Sequence, residues 1–450
     1  MAGAGRVRPR RPGHRVGWCQ TRPLPPRHLR LIDLDMNQVL GTGSGIEGLR
    51  VVQITALGIS AKSFLIEHFR RLREAGAEVT LICTGDADAR VAAERGGIRL
   101  IPVAIRQDTA PLADLVSLIQ LWRLFRRLRP DVLHAHMAKA GLLGALAGRL
   151  AGVPVRIYHN HGLAMLSAHG ARRHVLRAID WLTNRLATHA LFCSCSTRNA
   201  GIDTGTVMPE RSRVLGGGTI SGVNVEVFKP AGTGHLRAAQ RQAWGIEEET
   251  IVVGFVGRLV AHKGIETLID AWRQLGPAVR SRACLILAGG QAYSEPKMGA
   301  IVEAALSEDI GVKAVGWVDD MVGCYSGMDL LVLPSWHEGF PYSILEAQCM
   351  GLPVIATRAT GNLDAVIHER TGLLVPLRDA SALAQAIARL IRSSEDRQQL
   401  GEGGRRRILE EFTQDRVLQH MLDFYQSEVA ASRLAATSAG AVTHSPREKR

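Results

Sequence analysis

The sequence predicts an α/β protein of two doubly wound parallel-sheet domains facing a cleft. Three observations carry this expectation. At 450 residues the chain is longer than one hydrophobic core usually serves, so two domains are expected. From residue 49 onward, short apolar runs alternate with helix-length amphipathic stretches, the pattern of a parallel sheet covered on both faces. The alternation breaks at a glycine-rich stretch, Gly216-Gly217-Gly218 and then Gly222-Val223-Asn224, and afterwards starts again.

In the first half the expected strands are 49–55, 78–83, 99–105, 131–135, 155–159, 190–193 and 213–215. Helices are expected at 62–75, 110–128, 137–151 and 171–187. In the second half strands fall at 251–256, 283–287, 312–315, 330–333 and 353–357, with a helix at 264–274. These limits give one domain over 49–225 and another over 226–412. A helix at 413–428 follows and is placed to pack back on the first domain. Residues 429–450 are small and polar and read as a disordered tail. Ligands of such sheets sit beyond the carboxyl ends of the strands.

Hydrophobic residues make up 46% and charged residues 22%, a globular balance. A net charge of +13 favours acidic partners such as phosphate-bearing substrates, anionic lipid or nucleic acid. Residues 1–35 hold eight arginines, about half of that excess, so the rest of the chain gives no reason to expect nucleic acid. The leader, 1–48, lacks the apolar segment of a secretory signal and reads as disordered, with Met36 as an alternative start. No stretch reaches the roughly 18–20 apolar residues of a spanning helix. The expectation is a cytoplasmic protein, or one held peripherally at the inner face of the plasma membrane. Seven dispersed cysteines fit reduced thiols better than disulfides or zinc. Residues 43–48 match GxGxxG, but they precede the first strand where the dinucleotide motif must follow one, so they read as a flexible linker.

Two segments carry chemistry. Residues 333–357 run from an apolar strand through a Gly/Pro loop into a helix and on to another apolar strand. Backbone N–H groups at such a helix start suit phosphate. Glu346, inside the helix, can meet vicinal ribose hydroxyls, and Glu338, in the loop, a sugar hydroxyl. On spacing alone they are equally a capping acid and an exposed helix residue. The second segment, Gly257-Arg258 through Lys263-Gly264, forms the first strand-to-helix turn of the second domain. Two cations and a helix dipole there suit a diphosphate leaving group, whose negative charge grows as its bond breaks. The plainer alternative is a pair of solvated surface cations.

Pro334-Ser335, Glu338-Gly339-Phe340-Pro341, Glu346-Ala347 and Gly351-Leu352-Pro353-Val354 together resemble the signature of glycosyltransferase family 4. Gly257-Arg258 and Lys263-Gly264 are similar to the family's pattern, and residues 136–144 resemble its polysaccharide-assembly members. The resemblance spans about 49–415. It implies the GT-B fold, two Rossmann-like domains around a cleft. It also implies retaining transfer of a hexose or N-acetylhexosamine from a nucleotide diphosphate sugar, with uracil as the base by analogy, to a lipid-linked or saccharide acceptor.

On those terms Arg258, Lys263, Glu338 and His161 are catalytic, while Glu346, Gly339, Phe340, Gly257, Gly316, Gly361 and Gly58 surround the donor. His161 ends a strand in Tyr158-His159-Asn160-His161-Gly162. Gly316-Trp317-Val318 would frame the base, and Gly361-Asn362 would lie beside the sugar. Gly58 is what remains of a double glycine found in relatives. No Asp-x-Asp stands at a strand end, so neither metal nor cofactor is expected and the nucleotide sugar is a co-substrate. His134, His136, His159 and His161 could gather; a metal site is the alternative use for them, without a carboxylate or thiolate partner at ligand spacing.

Helices at 118–129 and 171–185 mix arginine with large apolar residues, which suits anionic headgroups or an ordinary amphipathic cover. Two other readings remain. A nucleotide-sugar epimerase of similar shape would consume donor without acceptor, and a non-catalytic assembly protein would show no turnover.

Overall fold

Why these segments pair as they do follows from where their apolar residues fall. The computed structural model describes residues 45–442 except 107, 109, 231–233, 291–294 and 309. Residues 1–44 of the basic leader, Met36 among them, lie outside the described residues. The first sheet contains β1 (Arg50–Ile54), β2 (Glu78–Cys83), β3 (Arg99–Pro102), β4 (Val132–His136), β5 (Val155–Asn160), β6 (His189–Phe192) and β7 (Ser212–Arg213). The second contains β8 (Ile251–Val256), β9 (Ala283–Ala288), β10 (Val312–Gly316), β11 (Leu330–Leu333), β12 (Val354–Thr357) and β13 (Gly372–Val375).

Strand orders are β3-β2-β1-β4-β5-β6-β7 and β10-β9-β8-β11-β12-β13, and every pairing between them is parallel. Each order reverses once, between β1 and β4 and between β8 and β11. Those reversals open crevices at the carboxyl ends of the strands. The central strands β9, β11 and β12 are buried along their whole length, as continuous apolar runs covered on both faces must be.

The covering helices are built by local rules. In Ala380–Arg392, Asp379 caps the start by accepting from the Ala382 N–H, and Leu383, Ile387, Leu390 and Ile391 form the buried stripe. Asp86 caps Ala87–Gly96, and Gly97 ends it in the left-handed region with φ 64°. Arg241 is buried and donates to the Glu248 carbonyl at 2.7 Å and to Asp329 at 2.6 Å. Asp329 also accepts from the Val252 N–H at 2.7 Å, so the pair ties helix Gly234–Trp244 to the start of β8.

Several boundaries differ from the sequence expectation. β3 stops at Pro102, and the helix expected at 62–75 is two helices, Gly58–Phe64 and Ile66–Glu74. β13 was not expected. Of the glycine motif at 43–48, the described part is an ordered turn rather than a flexible linker. Ile46 is buried, and the Gly48 N–H donates to the Gly76 carbonyl. The tail expected over 429–450 is corrected as far as Val442: the last helix, Gln414–Val442, continues into it, with Val429 buried, and residues 443–450 lie outside the described residues. That helix lies against β5 and helix Ile66–Glu74 of the first domain, and its Tyr425 hydroxyl accepts from Gln53 on β1 at 2.9 Å. Cys83, Cys193, Cys284, Cys324 and Cys349 are buried and form no disulfide.

Candidate active site

The crevice of the second sheet faces the ends of the first. Arg258, His262, Lys263, His337, Glu338 and Gly339 line one wall of a cleft of about 190 Å³, and His161, Gly162, Leu163 and Ala164 line the other. The sequence placed Arg258, Lys263, Glu338, Gly339 and His161 around one donor, and the fold brings these five together. Arg258 is exposed. Lys263 and Glu338 form an ion pair at 2.6 Å, both largely shielded from solvent. Lysine carries three donors, so one satisfies Glu338 and two remain for an anion.

Glycines let the walls come this close. Gly264 has φ 75°, and a Cβ there would stand 2.1 Å from the Pro334 carbonyl oxygen. Only glycine lets the turn bearing Lys263 rest on the loop after β11. A Cβ on Gly339 would stand 1.8 Å from the His161 carbonyl oxygen, so this glycine sets the approach of the two domains. On the opposite wall the Asn160 side chain accepts from the Gly162 N–H at 2.8 Å. Asn160 in turn donates to the Tyr158 hydroxyl, which donates to Asp180.

A helix start also joins the domains. The N–H groups of Cys195 and Ser196, opening helix Cys195–Asp203, donate to Asp364 at 2.8 and 3.2 Å, a carboxylate at the positive end of a helix dipole. Ser196 Oγ accepts from the Gly361 N–H at 2.8 Å, and Thr197 donates to the Glu338 carbonyl at 3.3 Å.

Glu346 sits one turn inside helix Tyr342–Cys349 and accepts from the Tyr325 hydroxyl at 2.8 Å. Burial pushes its carboxyl up to about 7, against the pull of that hydrogen bond. His262 stacks on His337 with ring centroids 5.1 Å apart. Burial, then the neighbouring His337, Lys263 and Arg258, push His262 down to about 4, so it is neutral at pH 7. Burial likewise takes His161 down to about 4.

Other expected residues stand elsewhere. Phe340 turns into the joint between the domains, 5.2 Å from the Phe412 ring and against Gly218; its backbone is beside the cleft but its side chain is not. Gly58 packs on Asp86, where a Cβ would stand 1.9 Å from the carboxylate, which explains a glycine there by packing. Gly361, at φ 77°, abuts Glu338 and Gly339, and its N–H is taken by Ser196. Asn362 is buried and spends its amide on Ser335 and Thr357, so it braces the loop. Gly316 ends β10 and holds the Gly289 N–H at 2.7 Å, while Trp317 is exposed. Gly257 bridges β8 and Arg258, with its carbonyl against Gly289.

The family model "Glycosyl transferases group 1" matches residues 237–407, and "Glycosyl transferase 4-like domain" matches 67–218. The D-inositol 3-phosphate glycosyltransferase of Salinispora arenicola is 30% identical over 319 residues, 67% of this chain and 69% of that protein. The chain belongs to the group 1 glycosyltransferases. This glycosyltransferase is also 27% identical over 325 residues to the capsular polysaccharide biosynthesis glycosyltransferase CapM of Staphylococcus aureus, covering 72% of this chain and 84% of that one. Its fold matches that of Anabaena HepE, solved in complex with UDP, with a TM-score of 0.71 at 21% identity, covering 84% of this chain and all of that one. The two-domain fold is GT-B.

In the glycosyltransferase the residues that sequence reasoning missed are mostly those that hold others in place. Asp364, Ser196 and Tyr325 carry no motif of their own. His262 and His337 lie inside the two segments already singled out, and their adjacency follows only once β8 and β11 are paired.

Proposed function

We propose that this glycosyltransferase moves a hexose or N-acetylhexosamine from a UDP-sugar to a lipid-linked or saccharide acceptor in surface polysaccharide assembly, with retention of configuration. The observation that carries the reading is the convergence of Arg258 and Lys263 with Glu338 on one wall, opposite His161 on the other. Arg258 and Lys263 hold the diphosphate. Glu346 meets the ribose, Glu338 a sugar hydroxyl, and His161 the sugar or acceptor. The bond from the anomeric carbon to the phosphate oxygen breaks as the acceptor hydroxyl bonds to that carbon from the same face. The acceptor proton passes to the departing phosphate, whose growing charge the two cations stabilise.

A panel of UDP- and GDP-sugars with lipid-diphosphate-linked and saccharide acceptors tests this, the product's anomeric configuration being read by NMR. Inverted product overturns retention, and donor consumption without acceptor supports the epimerase instead. The cations at the diphosphate position replace a divalent ion in this reading, so activity is expected to persist in EDTA. A strict divalent requirement contradicts it.

Docking at an anionic membrane face is part of the proposal. No helix among the described residues is long and apolar enough to cross a membrane. Helix Pro111–Leu128 exposes Leu112, Leu115, Val116 and Ile119 beside Arg123, Arg126 and Arg127, and helix Gly170–Leu186 exposes Val175, Trp181 and Leu182 beside Arg177 and Arg185. Both pack on helix Ala138–Ala151. Flotation with liposomes is expected to recover more protein with anionic than with neutral lipid; equal recovery removes the docking element.

A further inference from the structure

Behind His161 lies a continuous line of buried hydrogen bonds that the transfer mechanism above does not use. The His161 Nε2 is 3.0 Å from His136 Nδ1, and His136 Nε2 is 2.7 Å from Gln53 Oε1. Gln53 donates its amide to the Tyr425 hydroxyl at 2.9 Å, and that hydroxyl meets His134 Nδ1. His134 Nε2 is 3.2 Å from His159 Nδ1, and His159 Nε2 is 3.8 Å from the Cys193 sulfur. The Cys193 thiol ends the line at 3.3 Å from the Asn160 carbonyl oxygen.

A carbonyl oxygen can only accept, and that fixes the direction of every bond before it. Cys193 donates to Asn160, so its sulfur must accept from a protonated His159 Nε2. His159 Nδ1 is then bare and accepts from His134 Nε2–H, whose bare Nδ1 accepts from the Tyr425 hydroxyl. The Tyr425 oxygen accepts from the Gln53 amide, and Gln53 Oε1 accepts from His136 Nε2–H. His136 Nδ1 is therefore an acceptor, and His161 must carry its proton on Nε2. Each imidazole is neutral, because burial pushes all four below their usual range, which is the state in which one nitrogen donates and the other accepts.

We infer that Gln53, His136 and Tyr425 are positioning residues that fix the tautomer of His161, leaving its Nδ1 as a hydrogen-bond acceptor for a substrate hydroxyl in the cleft. The role of the hydroxyl rests on the glycosyl-transfer reading; the tautomer does not. Tyr425 reaches this line from the last helix, which returns from the second domain to cover β1 and β5. The return of that helix thus completes the polar wall of the cleft.

A metal centre is the competing use of the same rings, since ligand nitrogens of His134, His136 and His159 lie within 4.8 Å of one another. Nitrogens bound to one zinc at about 2.0–2.1 Å stand only about 3.3–3.4 Å apart in a tetrahedron. One pair, His134 Nε2 and His159 Nδ1, stands at 3.2 Å, so spacing alone does not decide; the ring nitrogens already paired in one consistent order of donors and acceptors favour hydrogen bonds.

The test is long-range proton–nitrogen NMR on the full chain with nitrogen-15 histidine, recorded without substrate, with resonances assigned by single His→Asn variants. The expected result is Nε2–H with a bare Nδ1 for His161, His136, His134 and His159. A proton on His161 Nδ1 overturns the inference, as does stoichiometric zinc in the purified protein. In Gln53→Met and Tyr425→Phe, His161 is expected to become a tautomer mixture. The kcat is expected to fall about tenfold in each while nucleotide affinity stays within about twofold. An unchanged tautomer and kcat in both variants also overturns it. If the tautomers are as expected and no transfer is found, the functional reading falls and the positioning stands.

Discussion

Replacing both Arg258 and Lys263 by alanine is expected to lower kcat by about 10³-fold or more while weakening donor binding less. A single preorganised group on a developing charge is worth about 10²–10³ in rate, and two acting on one leaving group are not additive. The diphosphate gains charge as the anomeric bond breaks, so the loss falls mainly on the transition state. Lys263 has a second role that the experiment must separate. Its ion pair with Glu338 at 2.6 Å is largely shielded, so Lys263→Met alone leaves a carboxylate facing the diphosphate position without a partner. Adding Glu338→Gln is expected to restore thermal stability but not turnover. If the combined variant recovers both, Lys263 serves Glu338 rather than the phosphate. Rate assays and melting curves on the same four proteins decide this.

The second large effect concerns Glu346. Glu346→Gln is expected to weaken the nucleotide donor about 10- to 100-fold, the range for losing hydrogen bonds to a charged group. The sign of the pH dependence follows from its environment. Burial raises the carboxyl to about 7, so below that pH one of its oxygens carries a proton and the group accepts from hydroxyls more weakly than the carboxylate does. Donor affinity is therefore expected to rise with pH through 7 in the native protein and to be flat there in Glu346→Gln. Folding shows the opposite sign. The folded state holds this proton more tightly than the unfolded chain, so the contribution to stability is full below the unfolded value and is lost as pH rises through about 7. The rise in Tm given by UDP is accordingly expected to be larger at pH 8 than at pH 6.

The sheets were legible because their strands are continuous apolar runs with turn residues between them. β9 and β11 fall within a residue of expectation. β13 opens on Gly372, and a glycine at that point reads as a turn rather than the start of a strand. The last helix runs past its expected end because a small, polar composition such as Ala430–Ala436 suits both a tail and a helix, and alanine favours the latter. In the cleft, Arg258, Lys263, Glu338 and His161 were readable as ends of strands and loops. The partners that hold them were not. Ser196 and Asp364 are 168 residues apart, Gln53 and Tyr425 are 372 apart, and local pattern carries no trace of either contact. Phe340 shows the converse: it belongs to the motif, yet its side chain is spent on the joint between domains.

Calorimetric titration of UDP into the full chain in EDTA, for the native protein and for Arg258→Ala/Lys263→Ala, addresses the diphosphate grip most directly. Saturable one-to-one binding by the native chain, weakened at least about tenfold in the variant, is the predicted result. Equal binding by both proteins, or none by the native chain until a divalent cation is added, would contradict it.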